Sequence, residues 1–425
     1  TNMTEALLHY IWRNRLYKTG EYKTINGERI VILHPGFPHN DAGPDFKQAI
    51  VKIGEITWAG DIELHLKTSD WNRHNHSTEQ KYDQIILHVV FEHDNEIWTK
   101  SGRKPAIFEL KSWILPETIT RYRELQNAGH SLPCAQGIER ISPELFNSVL
   151  TRAGTERLRR REKIIAESLI QCQQNWQETF FRHLLICYGF KTNATAFELL
   201  GRSLPWKYFQ NHLNNQLQTY ALIFGQSGLL NDEYRDCYII ALNDEFTYLQ
   251  KKYRLKPISK SSWNLLRLRP QNFPGMRLAQ VSEFFHQNPH ICRSILNCTN
   301  TNSLVSLFRN TPHNYWQTHY MPNIPSDKHS AMMGENMINL LIINGVIPFF
   351  YSYGRFMGNI DLQERASHLL ESLPPEKNKS TTLYRKYGFP IENAMHSQGV
   401  LELMQYYCKK SRCLDCGIGQ NLLRK

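Results

Sequence analysis

Between Ile56 and Lys67 the chain reads Ile-Thr-Trp-Ala-Gly-Asp-Ile-Glu-Leu-His-Leu-Lys. In a strand, alternate side chains share a face. Asp61, Glu63, His65 and Lys67 then line one side, and Ile62, Leu64 and Leu66 the other. Four ionisable groups on one face exceed what packing requires. Upstream, Ala42-Gly43-Pro44-Asp45-Phe46 opens another strand with a turn that aims Asp45 from its mouth. Two carboxylates from neighbouring strands, Asp45 and Glu63, suit a hard divalent cation, Mg or Mn, with the Leu64 carbonyl as a further ligand. Such an ion neutralises a phosphate and acidifies water, the two needs of phosphodiester hydrolysis. Imidazole titrates in the range of a general base, which gives His65 that role, and Lys67 brings a cation to the same face. Glu5 on the first helix is a candidate to complete the metal shell. The plainer reading is a solvated Glu63–Lys67 pair beside a turn capped by Asp45.

Two further clusters carry ligand chemistry. In Ser69-Asp70-Trp71-Asn72-Arg73-His74-Asn75-His76, His74 and His76 join Asp70, His65 and His88 as donors for zinc, manganese or iron. Against this, loop histidines are commonly solvated, and His88, within the apolar run Ile85 to Phe91, reads as a core histidine. Arg73 borders the loop as a phosphate contact, whereas Trp71 reads as packing. Late in the chain, Cys413-x-x-Cys416 and the preceding Cys408 offer three thiolates among Lys409, Lys410 and Arg412. A tetrahedral zinc needs a fourth ligand, from Cys134, Cys292, Cys298 or a histidine; free buried thiols are the alternative.

The elements that must position these groups follow from periodicity. Thr4 to Tyr17 reads as an amphipathic helix, and Arg29 to Leu33, Phe46 to Ile53, Ile56 to Lys67, Ile85 to Phe91, Ile97 to Thr99 and Ala106 to Leu110 as strands. After Trp113 the texture turns helical: Arg121 to Asn127, Ser142 to Cys172, Trp176 to Cys187, Ala194 to Leu200 and Ser282 to Phe285, with a buried core helix over Ile338 to Gly354. Residues 1–125 are therefore expected to form an α/β domain with a mixed sheet, and 126–425 a mostly helical region. Arg159 and Arg160 on the long helix, and Arg269 and Arg277 in a Pro-stiffened stretch with Asn272 and Phe273, are candidate nucleic-acid contacts. For the long helix, a solvated face with Glu–Arg pairs competes with that reading.

Composition narrows the class. A hydrophobic fraction of 41% in 425 residues excludes wholesale disorder and allows two or three domains. A net charge of +11 favours a polyanionic partner such as nucleic acid. The longest apolar run, Ile338 to Tyr351, is too short and too polar to span a bilayer, so no membrane partner is expected. Nine scattered cysteines and no secretory leader pattern point to a reducing, cytoplasmic setting.

Helix, strand, strand, strand, connection, strand, with Pro44-Asp45 and Glu63-Leu64-His65 at the central positions, resembles the PD-(D/E)XK phosphodiesterases. That resemblance implies a restriction-endonuclease-like sheet and a divalent metal on Asp45 and Glu63. His65 stands where the family has the Lys that handles water. Some nucleases of that group hold an iron–sulfur cluster with three late cysteines and one distant one, and Cys408, Cys413 and Cys416 are similar. The longer string Gly-Pro-Asp-Phe, Glu-Leu-His, Ser-Asp-Trp, His-Asn-His and Leu-His-Val-Val is similar to an uncharacterised bacterial family, a domain of unknown function. The leading expectation is a metal-dependent nuclease acting on DNA or RNA. The alternatives are a non-catalytic nucleic-acid-binding protein on a degenerate nuclease fold, and a transition-metal hydrolase using the His-rich loop.

Overall fold

The computed structural model describes residues 3–39, 41–127, 132–230 and 236–424. Two compact units divide the chain: Thr1–Val149 with Lys386–Phe389 and Leu403–Lys425, and Leu150–Arg385 with Pro390–Glu402. The first therefore takes in the carboxy-terminal cysteine segment beyond the stretch that composition sets apart.

In the first unit, Thr4 caps helix α1 (Glu5–Asn14) by accepting from the Leu7 N–H, and Arg15 ends it in the left-handed conformation. Leu7, Leu8, Ile11 and Trp12 are fully buried, an apolar stripe at helical spacing. Seven strands follow: β1 (Tyr22–Lys23), β2 (Arg29–His34), β3 (Phe37–Pro38), β4 (Phe46–Ile53), β5 (Ile56–Lys67), β6 (Ile85–Glu92) and β7 (Ala106–Glu109). Their order is β1-β2-β4-β5-β6-β7, with β3 alongside β4. Pairing is antiparallel as far as β5 and parallel from β5 through β6 to β7, so the sheet is mixed. Asp61 to His65 and Ile85 to Phe91 are buried throughout, as expected of central strands covered on both faces.

The sheet closes almost into a barrel. Ile25, beyond β1, donates its N–H to the Ile107 carbonyl of β7 at 3.0 Å, so the two edges meet. This corrects the open, restriction-endonuclease-like sheet expected from the element order. Short twisted strands with bulges at Ile32/His34, Phe46/Ala49 and Asp61/Ile62 coil more strongly than a flat open sheet does. Ile97 to Thr99, expected as a strand, is a loop in which Thr99 exchanges hydrogen bonds with Arg103.

Helix α2 (Asp70–Arg73) is a single turn after β5, α3 (Pro116–Asn127) follows the sheet, and α4 (Pro143–Gln171) runs 29 residues. The second unit is helical around an aromatic centre in which Phe181, Trp206, Phe209 and Phe285 pack at ring distances of 5.2–6.0 Å. Within it α4 crosses the helix Ala394–Glu402 closely. A Cβ on Gly154 would come within 2.5 Å of the Met395 sulfur, and one on Gly399 within 2.1 Å of the Leu150 carbonyl. That approach uses the basic face of α4. Arg157 donates to Gln398 at 2.7 Å, and Arg160 pairs with Glu402, whose side chain is fully buried, at 2.6 Å. Replacing Arg160 by Ala strands a buried carboxylate and is expected to cost about 3 kcal/mol, read as a lowered denaturation midpoint against an Arg159→Ala control.

The helical stretch Glu335–Phe356 is long and apolar enough to cross a bilayer by length and composition, yet 78% of its most apolar window is buried inside the protein. It is the core helix expected over Ile338 to Gly354, widened by a π-turn at Ile342–Val346.

Candidate metal centre

The chain turns sharply before Asp45 because Gly43 holds φ at +138°, a conformation open to glycine, and Pro44 follows. The Asp45 N–H then donates to Glu63 Oε2 at 3.1 Å, while the Leu64 N–H donates to Asp45 Oδ2 at 2.9 Å. This exchange ties the mouth of β4 to the middle of β5 and sets the two carboxylates side by side. A bulge comes next, with Gln48 at φ 59°. It delivers the Gln48 N–H and the Lys47 ammonium to Asp61, the latter at 2.8 Å. Bulges of this kind re-aim side chains beside functional sites.

Beyond β5 the chain doubles back. Asp70 accepts the Lys67 N–H at 3.0 Å and pairs with Arg73 at 3.0 Å, closing the turn of α2. Ser69 is fixed to Asp94 by two bonds of 2.7 and 2.8 Å. Asn75 then takes the left-handed conformation (φ 61°), which Asn tolerates better than most residues, and reverses the chain between His74 and His76. Trp71, fully buried, anchors the loop: its indole N–H donates to the Trp98 carbonyl at 3.1 Å, and its ring packs on His76, Tyr82 and His88.

Here the imidazoles converge. Ligand atoms of His65, His74 and His76 all lie within 4.8 Å of one another. His65 Nε2 is 3.1 Å from His74 Nδ1 and 3.7 Å from Glu63 Oε1, and His76 Nε2 is 3.1 Å from the same Glu63 oxygen. The His76–Glu63 contact is close without hydrogen-bond alignment, leaving both buried nitrogens of His76 without a hydrogen-bond partner. His65 Nδ1 meets His88 Nε2 at 2.9 Å. If His65 donates there, its Nε2 lone pair is fixed toward the other two rings, as an outer residue fixes a metal-binding imidazole. From α1, His9 reaches Asp45 at 3.4 Å. His65 and His76 are buried and His74 is exposed, so the cluster opens to solvent on one side.

Burial dominates the electrostatics of the cluster. Burial and the neighbouring Asp45 raise the Glu63 pKa; burial raises that of Asp45, against the pull of His9. Burial, then His88 and the other rings, depress His65 to about 2, and burial depresses His88 to about 3. A divalent cation at the convergence point relieves both conditions, since it favours ionised carboxylate and neutral imidazole. The sign for folding follows. An unfolded histidine takes a proton below about pH 6.5, whereas folded His65 and His88 do not. On their own these two rings make the unfolded chain bind more protons below about pH 6.5 and so lower stability in acid, while Glu63, whose proton affinity is raised by folding, acts in the opposite sense. Going from about pH 7.5 to about pH 5 is therefore expected to change the urea midpoint less favourably in wild type than in His88→Phe; the same change in both proteins contradicts it.

Of the residues expected from sequence, Asp45, Glu63 and His65 come together. Lys67 is exposed, its charge acting on Asp94 rather than on Glu63, and no PD-(D/E)XK triad of two acids and a Lys is evident among the described residues. Arg73, Arg159 and Arg269 are exposed, whereas Arg160 is committed to Glu402. Arg277 needs correction as a nucleic-acid contact. It is 5% exposed, bonded to Gln280 and Asn272 and set over the Phe190 ring, so no phosphate reaches it. An oxygen-only Mg or Mn site also needs revision, because the ligand atoms that converge are three imidazole nitrogens, and such donors suit zinc, manganese or iron. Cys408, Cys413 and Cys416 lie in the same unit, lining a separate pocket. Sequence reasoning missed His9 and Lys47. His9 had a signal, four residues after Glu5 and so on the same helical face.

No curated protein and no solved structure matches the chain. One family does, over residues 5–379, and its description is a protein of unknown function, DUF2851. The match spans most of the chain, which therefore belongs to the DUF2851 family.

Proposed function

We propose that the first unit is a hydrolase dependent on a divalent transition metal, with His65, His74 and His76 as ligands and Glu63 as the adjoining carboxylate. The observation that carries this reading is the convergence of three imidazoles within 4.8 Å beside the carboxy-terminal part of β5, with His74 exposed. Three protein ligands with an open position are the arrangement of catalytic rather than structural zinc sites. The ion, when bound, supplies Lewis acidity and an acidified water. Glu63, 3.1 Å from His76 Nε2 and held in a site that raises its proton affinity, is placed to accept a proton from that water. Asp45 holds the Leu64 N–H and receives His9, which orients it beside Glu63. His88 fixes the ring of His65 from behind.

A narrower version assigns a phosphodiester substrate. Its support is the Asp45–Glu63 pair, at the positions where a nuclease-like site needs its acids, together with the +11 net charge. Lys67 brings no cation to those acids, so water handling falls to the Glu63–histidine group. Incubation with mixed DNA and RNA, and separately with ester and amide libraries, in the presence of Mn or Zn tests both levels. Metal-dependent turnover lost in Glu63→Gln supports a hydrolase, and its occurrence on nucleic acid alone supports the narrower version. Turnover equal in Glu63→Gln, or none on any substrate with metal bound, contradicts the assignment.

A further inference from the structure

Four cysteines far apart in the chain line one pocket. Cys134, Cys408, Cys413 and Cys416 line a small pocket together with Pro133, Tyr407, Arg412 and Gly419, all within the first unit. None of the four is in a disulfide, and Cys134, Cys413 and Cys416 are buried. The local fold is built to gather them. A Cβ on Gly137 would come within 2.6 Å of the Leu422 side chain, and one on Gly419 within 2.2 Å of the Cys413 carbonyl. Glycine at both places therefore lets the turn after Cys134 and the turn at Cys413 close on the last helix, Gly417–Arg424. Ser411, left-handed at φ 51°, and the Arg412–Asp415 pair at 2.9 Å fold the Cys408–Cys416 segment on itself. A π-turn at Leu403–Tyr407 leads directly into Cys408.

The width of the thiol ring bears on what fills it. A single zinc, with Zn–S near 2.3 Å, draws its sulfurs to within about 4 Å of one another. Among the described residues, no three cysteine sulfurs lie within 4.8 Å of one another. A cluster of several irons and sulfides, gripped by four cysteines, fits a wider ring. Lys409, Lys410 and Arg412 border the segment and offset the negative charge that a four-thiolate centre would carry.

We propose that Cys134, Cys408, Cys413 and Cys416 together hold an iron–sulfur cluster, Cys134 being the fourth ligand that closes the late Cys-x4-Cys-x2-Cys segment. Each thiol gives up its proton on ligation. The centre staples the chain end to α1, where Tyr10 donates to the Gln420 carbonyl at 3.4 Å and Arg424 to Asn14 at 2.6 Å. It rests on none of the histidines above.

The test is the full chain purified without oxygen from iron-replete cells. The expected result is iron and acid-labile sulfide in equal amounts, several of each per chain, with a visible thiolate-to-iron absorption band. Cys134→Ser loses most of the iron and the band, while the exposed-thiol control Cys237→Ser and the histidine variant His74→Ala keep both. Wild-type protein with zinc and no sulfide, or with no metal, overturns the proposal whatever the variants do. So does a Cys134→Ser protein that retains its full iron and sulfide.

Discussion

Replacing His76 by Ala is expected to lower the affinity of the proposed centre for zinc or manganese by at least about 100-fold. His76 lies 3.1 Å from the Glu63 oxygen, sits within 4.8 Å of the other two imidazoles, and has no hydrogen-bond partner on either buried nitrogen. Removing it leaves two imidazoles and a carboxylate whose raised proton affinity has lost its relief. The effect also shows in folding. A ligand bound only by the native state at about 100 times its Kd adds roughly 2.7 kcal/mol, so wild-type protein gains thermal stability with added Mn and His76→Ala does not. Manganese suits this measurement because thiolates compete poorly for it, which keeps the cysteine pocket silent. An equal gain in both proteins contradicts the assignment of His76.

Trp71→Ala is expected to lower stability by about 3–5 kcal/mol, the range for deleting a buried aromatic, and to abolish metal binding although no ligand changes. The indole is fully buried, donates to Trp98, and backs the rings of both His76 and His88. Its loss opens a cavity under the loop that holds His74 and His76 in register with β5. Trp71→Phe separates the two effects. It refills most of the volume but lacks the indole N–H, so a smaller loss of stability with weakened metal affinity is expected. Unchanged metal affinity in Trp71→Ala at temperatures where it is folded would show that the loop needs no anchor.

Legibility in the sequence tracked the range of the interactions involved. The long strands announced themselves by alternation or by unbroken apolar runs, because each side chain there answers to a face. The two-residue β1 and β3 carry no period, and closure depends on one backbone bond from Ile25 to Ile107, whose groups every residue possesses. The carboxylate pair was readable because both acids sit at defined places on adjacent strands. The histidine centre was readable only as a list of donors. What assembles it is the left-handed Asn75, the buried Trp71, and the parallel register that sets Glu63 level with His88. The arginines misled for the same reason: the Glu402 that claims Arg160 lies 242 residues away, and Arg277 is swallowed by a helix beginning at Pro274. Charge in a sequence says that a cation exists, not whether a buried partner has already claimed it.

The most direct measurement is a crystal of the full chain soaked in manganese, with anomalous difference density recorded for the ion. The account predicts a peak bounded by His65 Nε2, His74 Nδ1, His76 Nε2 and the Glu63 carboxylate. A map in which that position is empty, or in which the ion binds the first unit elsewhere with those three rings hydrogen-bonded only to protein, contradicts it.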